Sequence, residues 1–108
     1  MRFIVGTGSS GQGVFLVEGE WAWNLTAANE SVGADLSALA AGRIGLESLE
    51  ALKEQTDAEP VSSVTPGLPI ERPGKIICLG LNYVDHIKEG GYDVPTYPAL
   101  FMRCNTSM

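Results

Sequence analysis

Residues 2–25, RFIVGTGSSGQGVFLVEGEWAWNL, decide how the chain opens. Gly6, Gly8 and Gly11 spell G-x-G-x-x-G directly after a short apolar run, the spacing of a dinucleotide-binding loop. That chemistry requires the glycines to open a helix, because a pyrophosphate sits against the free N–H groups of the first helical turn. Gly13 leads instead into Val14-Phe15-Leu16-Val17, then Glu18-Gly19-Glu20, then Trp21-Ala22-Trp23. β-branched and aromatic residues around short Gly-centred turns read as antiparallel strands, not as a helix. The stretch up to Leu25 is therefore read as strands joined by turns, without a phosphate cradle. Glu18 and Glu20 fall on one of those turns, where adjacent acids are expected to be solvated rather than to bind a metal.

Beyond the strands the composition changes. Residues 31–57, SVGADLSALAAGRIGLESLEALKEQTD, are rich in Ala, Leu and Glu, with apolar residues at helical spacing. Asp35 is placed to cap a short helix, its carboxylate accepting from free N–H groups of the first turn. Leu36, Leu39 and Ala40 give that helix a buried side, and Gly42 is placed to end it. Leu46, Leu49 and Leu52 stripe a second helix, with Glu47, Glu50 and Lys53 toward water. These stripes are assigned to packing. Residues 57–74, DAEPVSSVTPGLPIERPG, come next as a linker, since Pro60, Pro66, Pro69 and Pro73 interrupt helix and sheet alike. The linker is expected to run extended over the surface and to mark a domain boundary. After it, KIICLGL (75–81) is a continuous apolar run bounded by Gly74 and Asn82, the pattern of a buried strand.

Bulk properties narrow the classes of function. The 108 residues provide for one domain, or for a small one and part of another. Seven basic against thirteen acidic residues give a net charge of −6, and no basic patch or stripe is visible, which argues against nucleic acid and anionic membranes as partners. Mean hydropathy is +0.08, and the apolar runs are far shorter than a membrane span. The first residues lack an apolar core and cleavage site of the secretory kind, so the chain is expected to be cytoplasmic and its Asn-x-Ser/Thr sequons unused. Cys78 and Cys104 are too few and too far apart for a disulfide framework or a metal knuckle. Cys78 reads as a small buried hydrophobe.

The chemistry-bearing stretch is GLNYVDHIKEGGYDVPTYPALFMR, residues 80–103, which holds the single histidine. His86 precedes Glu89 by three residues, and on a helix that spacing puts both side chains on one face. A carboxylate beside an imidazole fixes its tautomer and favours its protonated form, so the pair can move a proton near neutral pH. Spacing alone also fits an ordinary surface histidine next to an acid.

The wider context, RPGKIICLGLNYVDHIKE (72–89), resembles the opening of the catalytic domain in the fumarylacetoacetate hydrolase family. The pattern is a Pro-Gly-Lys, an apolar strand, Gly-x-Asn-Tyr and then His-x-x-Glu. Here Pro73, Gly74, Lys75, Gly80, Asn82, Tyr83, His86 and Glu89 carry it. Pro98, Leu100 and Phe101 continue it, where the family reads P-x-L-F-x-K. Arg103 replaces that Lys, and a guanidinium can grip a substrate carboxylate but cannot act as a neutral base. Leu79 occupies the place of an acidic metal ligand in fumarylacetoacetases proper, which points to the broader acylpyruvase-like branch.

The resemblance implies an α+β chain: a small strand-and-helix domain over residues 1–70, then the beginning of a β-rich catalytic domain over 71–108. It implies a hydrolase or lyase of small 2-oxo acids, with a divalent ion stabilising an enolate as a bond breaks. In that scheme His86 activates water and Glu89 orients it, Asn82, Tyr83 and Arg103 contact substrate, and Gly90-Gly91 lend flexibility to a lid. Mg²⁺ or Mn²⁺ would be held by a Glu-x-Glu pair and an Asp located after residue 108, so no metal ligand is assigned within the chain. The complete protein would be a homodimer. The 108 residues alone are expected to be inactive and to expose Ile76, Ile77, Leu79, Leu100 and Phe101. The alternative is a non-catalytic assembly module or a remnant of such an enzyme.

Overall fold

The computed structural model describes residues 1–107, and they separate into two compact units, Met1–Glu71 and a second that begins at Arg72. In the first, β1 (Arg2–Gly8), β2 (Gly11–Glu18) and β3 (Trp21–Asn24) form a continuous antiparallel meander. The glycine motif is the tip of the first hairpin. Gly8 pairs with Gly11 across a two-residue turn, Ser9-Ser10, and Gly11 takes φ +101, a conformation side chains rarely adopt. A strand pair thus replaces the helix that nucleotide binding needs, and the chain is α+β as expected.

Two short strands complete this sheet, and both come from the proline-rich segment. β4 (Ala58–Pro60) pairs with β3, and β5 (Thr65–Pro66) pairs with β1, giving the order β4-β3-β2-β1-β5. The surface linker expected over residues 57–74 is therefore corrected: its first half supplies both sheet edges. Proline is tolerated there because an edge strand leaves one row of N–H groups unpaired in any case. The connection also sets the curvature. Five strands laid flat would hold their edges about 19 Å apart. Only Val61–Val64 joins β4 to β5, and Val61–Ser63 is a 3₁₀ turn that advances about 2 Å per residue. The sheet must curl to bring its edges within reach.

Alternation along the strands sends side chains to two cores. Val5, Val14 and Leu16 face outward into a cluster with Leu25, Val32, Leu49 and Leu52. Ile4, Phe15, Val17, Ala22 and Val64 gather on the concave side. Burying each large aliphatic side chain contributes about 1.5–3 kcal/mol. The outer cluster is roofed by α1 (Leu25–Ala28), α2 (Ser37–Ala40) and α3 (Leu46–Lys53).

Several local readings change here. Leu25 begins a helix instead of ending a strand, because Asn24 caps it by accepting from Ala27 N–H at 3.1 Å. Asp35 accepts from Ser37 N–H at 2.8 Å, while the cap position itself falls on Leu36. Leu36 and Leu39 pack on the core but Ala40 is exposed. On α3, Leu49 and Leu52 are buried and Leu46 is 61% exposed, since three residues at i, i+3 and i+6 span 120° of a helix and only part of that arc meets the sheet. Lys53 does not simply face water: its Nζ lies 2.6 Å from Glu18 Oε2 and 4.6 Å from the Trp23 ring centroid. The turn acid Glu18 is accordingly paired, not merely solvated.

The second unit contains β6 (Ile76–Gly80), α4 (Val84–Glu89) and β7 (Ala99–Arg103), with β6 and β7 antiparallel. Cys78 is half-buried, so its expected burial is not reached. One face of the ribbon stays open, with Ile77 61%, Leu79 46%, Leu100 66% and Met102 69% exposed. Among the described residues no helix is long and apolar enough to cross a membrane.

Candidate functional site

Each predicted site residue lies in the second unit. β6 ends at Gly80, and the chain then turns sharply through Leu81, which holds φ +51. A left-handed conformation costs leucine about 1–2 kcal/mol. The turn redirects the backbone so that Asn82 and Tyr83 stand between strand and helix. Tyr83 is the N-cap of α4 in extended conformation, without a side-chain cap bond. Asp85 in the first turn and His86 and Lys88 toward the end suit the helix dipole. Gly90 then closes the helix, and Gly91 comes next at φ +69.

α4 places His86 and Glu89 three residues apart on a single short helix, and both side chains are exposed. No ion pair joins them among the described residues, where Lys53–Glu18 is the single pair found. They are adjacent and accessible, ready to be engaged from solvent. Ile87 anchors the helix, at 2% exposure.

Beside this helix is an open cavity of about 330 Å³, lined by Asn82, Leu79, Val84, Ile87, Val94 and Tyr97, among others. Of the five predicted site residues only Asn82 borders it. Its wall is mainly apolar, with the Asn82 amide and the side chains of Thr96 and Tyr97 as polar groups that could orient a ligand. Arg103 is placed differently. It pairs with Ile76, at the end of the ladder opposite the Gly80–Ala99 pair from which the Asn82–Tyr83 turn departs. The structure thus groups Asn82, Tyr83, His86 and Glu89 in one segment and sets Arg103 on the far rung of the ribbon.

Two features escaped sequence reasoning. Leu81 carries the strained turn, and no sequence signal marks it, because positive φ is enriched in Gly and Asn and not in leucine. Val94 and Tyr97 wall the cavity, and the prolines at 95 and 98 were the available clue to an extended, loop-borne wall. The described residues include no group of three or more His, Cys, Asp or Glu able to hold a metal ion. The described residues by themselves therefore do not assemble a full ligand set for Mg²⁺ or Mn²⁺.

No family model matches the chain. It is 43% identical over 58 residues to the human mitochondrial oxaloacetate tautomerase FAHD2A, covering 54% of this chain and 18% of that protein. It is 43% identical over 42 residues to a 2,4-didehydro-3-deoxy-L-rhamnonate hydrolase from a Sphingomonas species, covering 39% of this chain and 15% of that one. Among solved structures, a putative HpcE protein from Mycobacterium smegmatis superposes with a TM-score of 0.70 at 27% identity, across 99% of this chain and 37% of the other. The matches span less than a fifth of the length of these curated relatives.

Proposed function

Since the chain carries a stretch of the fumarylacetoacetate hydrolase family, partial in coverage, we propose that it is the opening portion of an enzyme acting on small 2-oxo acids. The observation that carries the reading is the single accessible segment Asn82–Glu89, which pairs an imidazole and a carboxylate on one helix next to an apolar cavity. The two relatives named for their substrates handle an oxaloacetate and a didehydro-deoxy sugar acid, both small oxo acids. In this reading His86 takes a proton from water, and Glu89, on the same helix face, orients and polarises that water. Asn82 donates its amide N–H to a substrate oxygen at the cavity rim. Tyr83, next to Asn82 but outside the cavity lining, and Arg103, on the far rung of the ribbon, are assigned to substrate by the resemblance and not by the cavity.

Metal dependence belongs to the proposal as well. A divalent ion would stabilise enolate charge, with ligands from outside residues 1–107. Domain limits at residues 1–70 and 71–108, a cytoplasmic location and a homodimeric complete protein are likewise part of the proposed picture.

The test is a chimera: the human tautomerase in which the residues aligned with Arg72–Met108 are replaced by that segment, assayed on oxaloacetate and on an acylpyruvate. Turnover by the chimera, reduced about 10²- to 10⁴-fold by His86→Ala with KM little changed, supports a proton-transfer role. An active chimera indifferent to His86→Ala removes that role. A folded but inactive chimera favours the assembly module or remnant.

A further inference from the structure

The tip of the glycine-rich hairpin does bind an anion, and the anion is the protein's own. Glu59, on the edge strand β4, is 6% exposed, and no cation pairs with it among the described residues. Its Oε2 accepts from Ser9 N–H at 2.8 Å and from Ser63 O–H at 3.1 Å. Its Oε1 accepts from Ser10 O–H at 2.8 Å and from Ser10 N–H at 3.4 Å. Two consecutive backbone N–H groups converging on an oxyanion are the geometry of an anion nest. The partners lie 49 and 50 residues away along the chain, so the contact joins the hairpin tip to the opposite edge of the curled sheet.

The surroundings are built around this contact. A Cβ on Gly8 would overlap both carboxylate oxygens, so the second glycine of the motif provides the room for Glu59. Asn24, 1% exposed, secures the same tip from another side by donating to the carbonyls of Ser10 and Gly11, each at 3.3 Å. Charged side chains are scarce on the elements packed against Glu59. The turn, β3, the 3₁₀ segment Val61–Ser63 and β5 have none; β1 and β2 carry only Arg2 and Glu18, at the strand ends away from the tip, and Glu18 is taken by Lys53. With no counter-ion beside it, the charge of Glu59 holds the tip together with Asn24; of its donors, the Ser63 O–H is shared with the Pro60 carbonyl at 2.7 Å.

We propose that Glu59 is the built-in ligand of an anion site formed by the Ser9–Ser10 turn and Ser63, and that its charge latches the hairpin tip over the concave core. The latch opens when a solvent proton reaches the carboxylate. A neutral acid accepts these donors less well, and its own O–H can be satisfied only if the Ser10 or Ser63 hydroxyl turns from donor to acceptor, since Ser9 and Ser10 N–H can only donate. Removing the Glu59 side chain leaves a pocket of N–H and O–H donors suited to a small carboxylate such as formate. Burial pushes the Glu59 carboxyl up, but the bonds from Ser9, Ser10 and Ser63 together outweigh it and hold it below the ordinary glutamate range. The latch is therefore closed at neutral pH and opens only as pH falls below that range.

The test uses the full chain. Amide resonances of Ser9 and Ser10 are followed from pH 7 to pH 2.5, with hydrogen exchange at Ser9 as a second readout. Both amides should titrate together at a midpoint below that of a free glutamate, with Ser9 protection falling roughly ten- to hundredfold across it, as loss of a charge-assisted bond requires. Trp21 and Trp23 flank Ala22, the cross-strand partner of Glu59, so their emission should shift at the same midpoint. In Glu59→Ala at pH 7, formate should raise the melting temperature saturably, while Glu59→Gln, whose amide still fills the pocket, should gain nothing. Flat Ser9 and Ser10 resonances through the acid range overturn the latch, whether or not the variants fold. A Glu59→Ala protein that folds and ignores formate overturns the anion site.

Discussion

Gly13→Ala isolates what the glycines of the first hairpin are for. Gly13 lies within β2 without positive φ, so alanine meets no backbone penalty there. Lower unfolded-state entropy would by itself stabilise the alanine variant by about 0.4–1 kcal/mol. Sterics reverse the sign. The new Cβ would stand 2.5 Å from Asn24 Oδ1, 2.6 Å from Thr26 Cβ and 2.7 Å from Thr26 Oγ1. A Cβ close to the main chain cannot swing aside, and both neighbours are committed. Asn24 caps α1 and holds the hairpin tip, while Thr26 Oγ1 accepts from Val14 N–H at 2.9 Å and donates to Gly33 C=O at 2.6 Å. Overpacking costs about 1–3 kcal/mol. Loss of the cap adds about 1 kcal/mol, and an orphaned Val14 N–H about 1–3 kcal/mol. The expected net destabilisation is about 2–6 kcal/mol, a large part of the whole stability of a small domain. Urea unfolding followed by Trp21 and Trp23 emission measures it, with Gly67→Ala as control. The control Cβ meets nothing nearer than 3.8 Å and should leave stability unchanged or raise it by up to about 1 kcal/mol. If Gly13→Ala unfolds at the same urea concentration as Gly67→Ala, the close packing of β2 against α1 is wrong.

Two other perturbations have definite expected outcomes. The Asp35 carboxyl lies below its usual range, held there by bonds from Glu71 N–H, from the Ser37 side chain and from Ser37 N–H, against a smaller opposing effect of burial. A depressed carboxyl contributes stability above its unfolded pKa and loses it as pH falls through the folded value, so the melting temperature of Asp35→Asn should approach that of wild type as pH drops below about 3.8. A gap that stays constant with pH would show that the charge is irrelevant. In the second unit, replacing Leu100 and Met102 with Lys breaks up the open apolar face of the ribbon and should lower self-association of the 108-residue chain in sedimentation velocity. Unchanged association would place the sticky surface elsewhere.

Strand and helix types were legible where one local rule dominates. Val14 and Leu16 alternate with Phe15 and Val17, and a period of two sends them to opposite faces whatever lies beyond. The chain reverses over Ser9-Ser10, and Gly11, the next residue, takes the positive φ that lets the second strand start, so the hairpin is written in about a dozen residues. The resemblance of residues 72–89 was equally legible, because it depends on residue identities at fixed spacing.

What tertiary structure decided was the fate of groups whose partners are distant. The proline-rich segment reads locally as linker, and it becomes two sheet edges because β3 and β1 offer unpaired backbone on their outer sides. Leu46 and Leu49 are alike in sequence, and only the arc of α3 that meets the sheet separates the exposed one from the buried one. Leu81 adopts a backbone conformation that its own chemistry disfavours, since strand and helix on either side fix the turn. Glu59 reads as one more solvated acid beside a proline. Its burial is possible because the curled sheet brings it donors from 49 and 50 residues upstream. Local sequence sets backbone period and turn chemistry. Where a charge can be buried depends on donors that only the folded chain assembles.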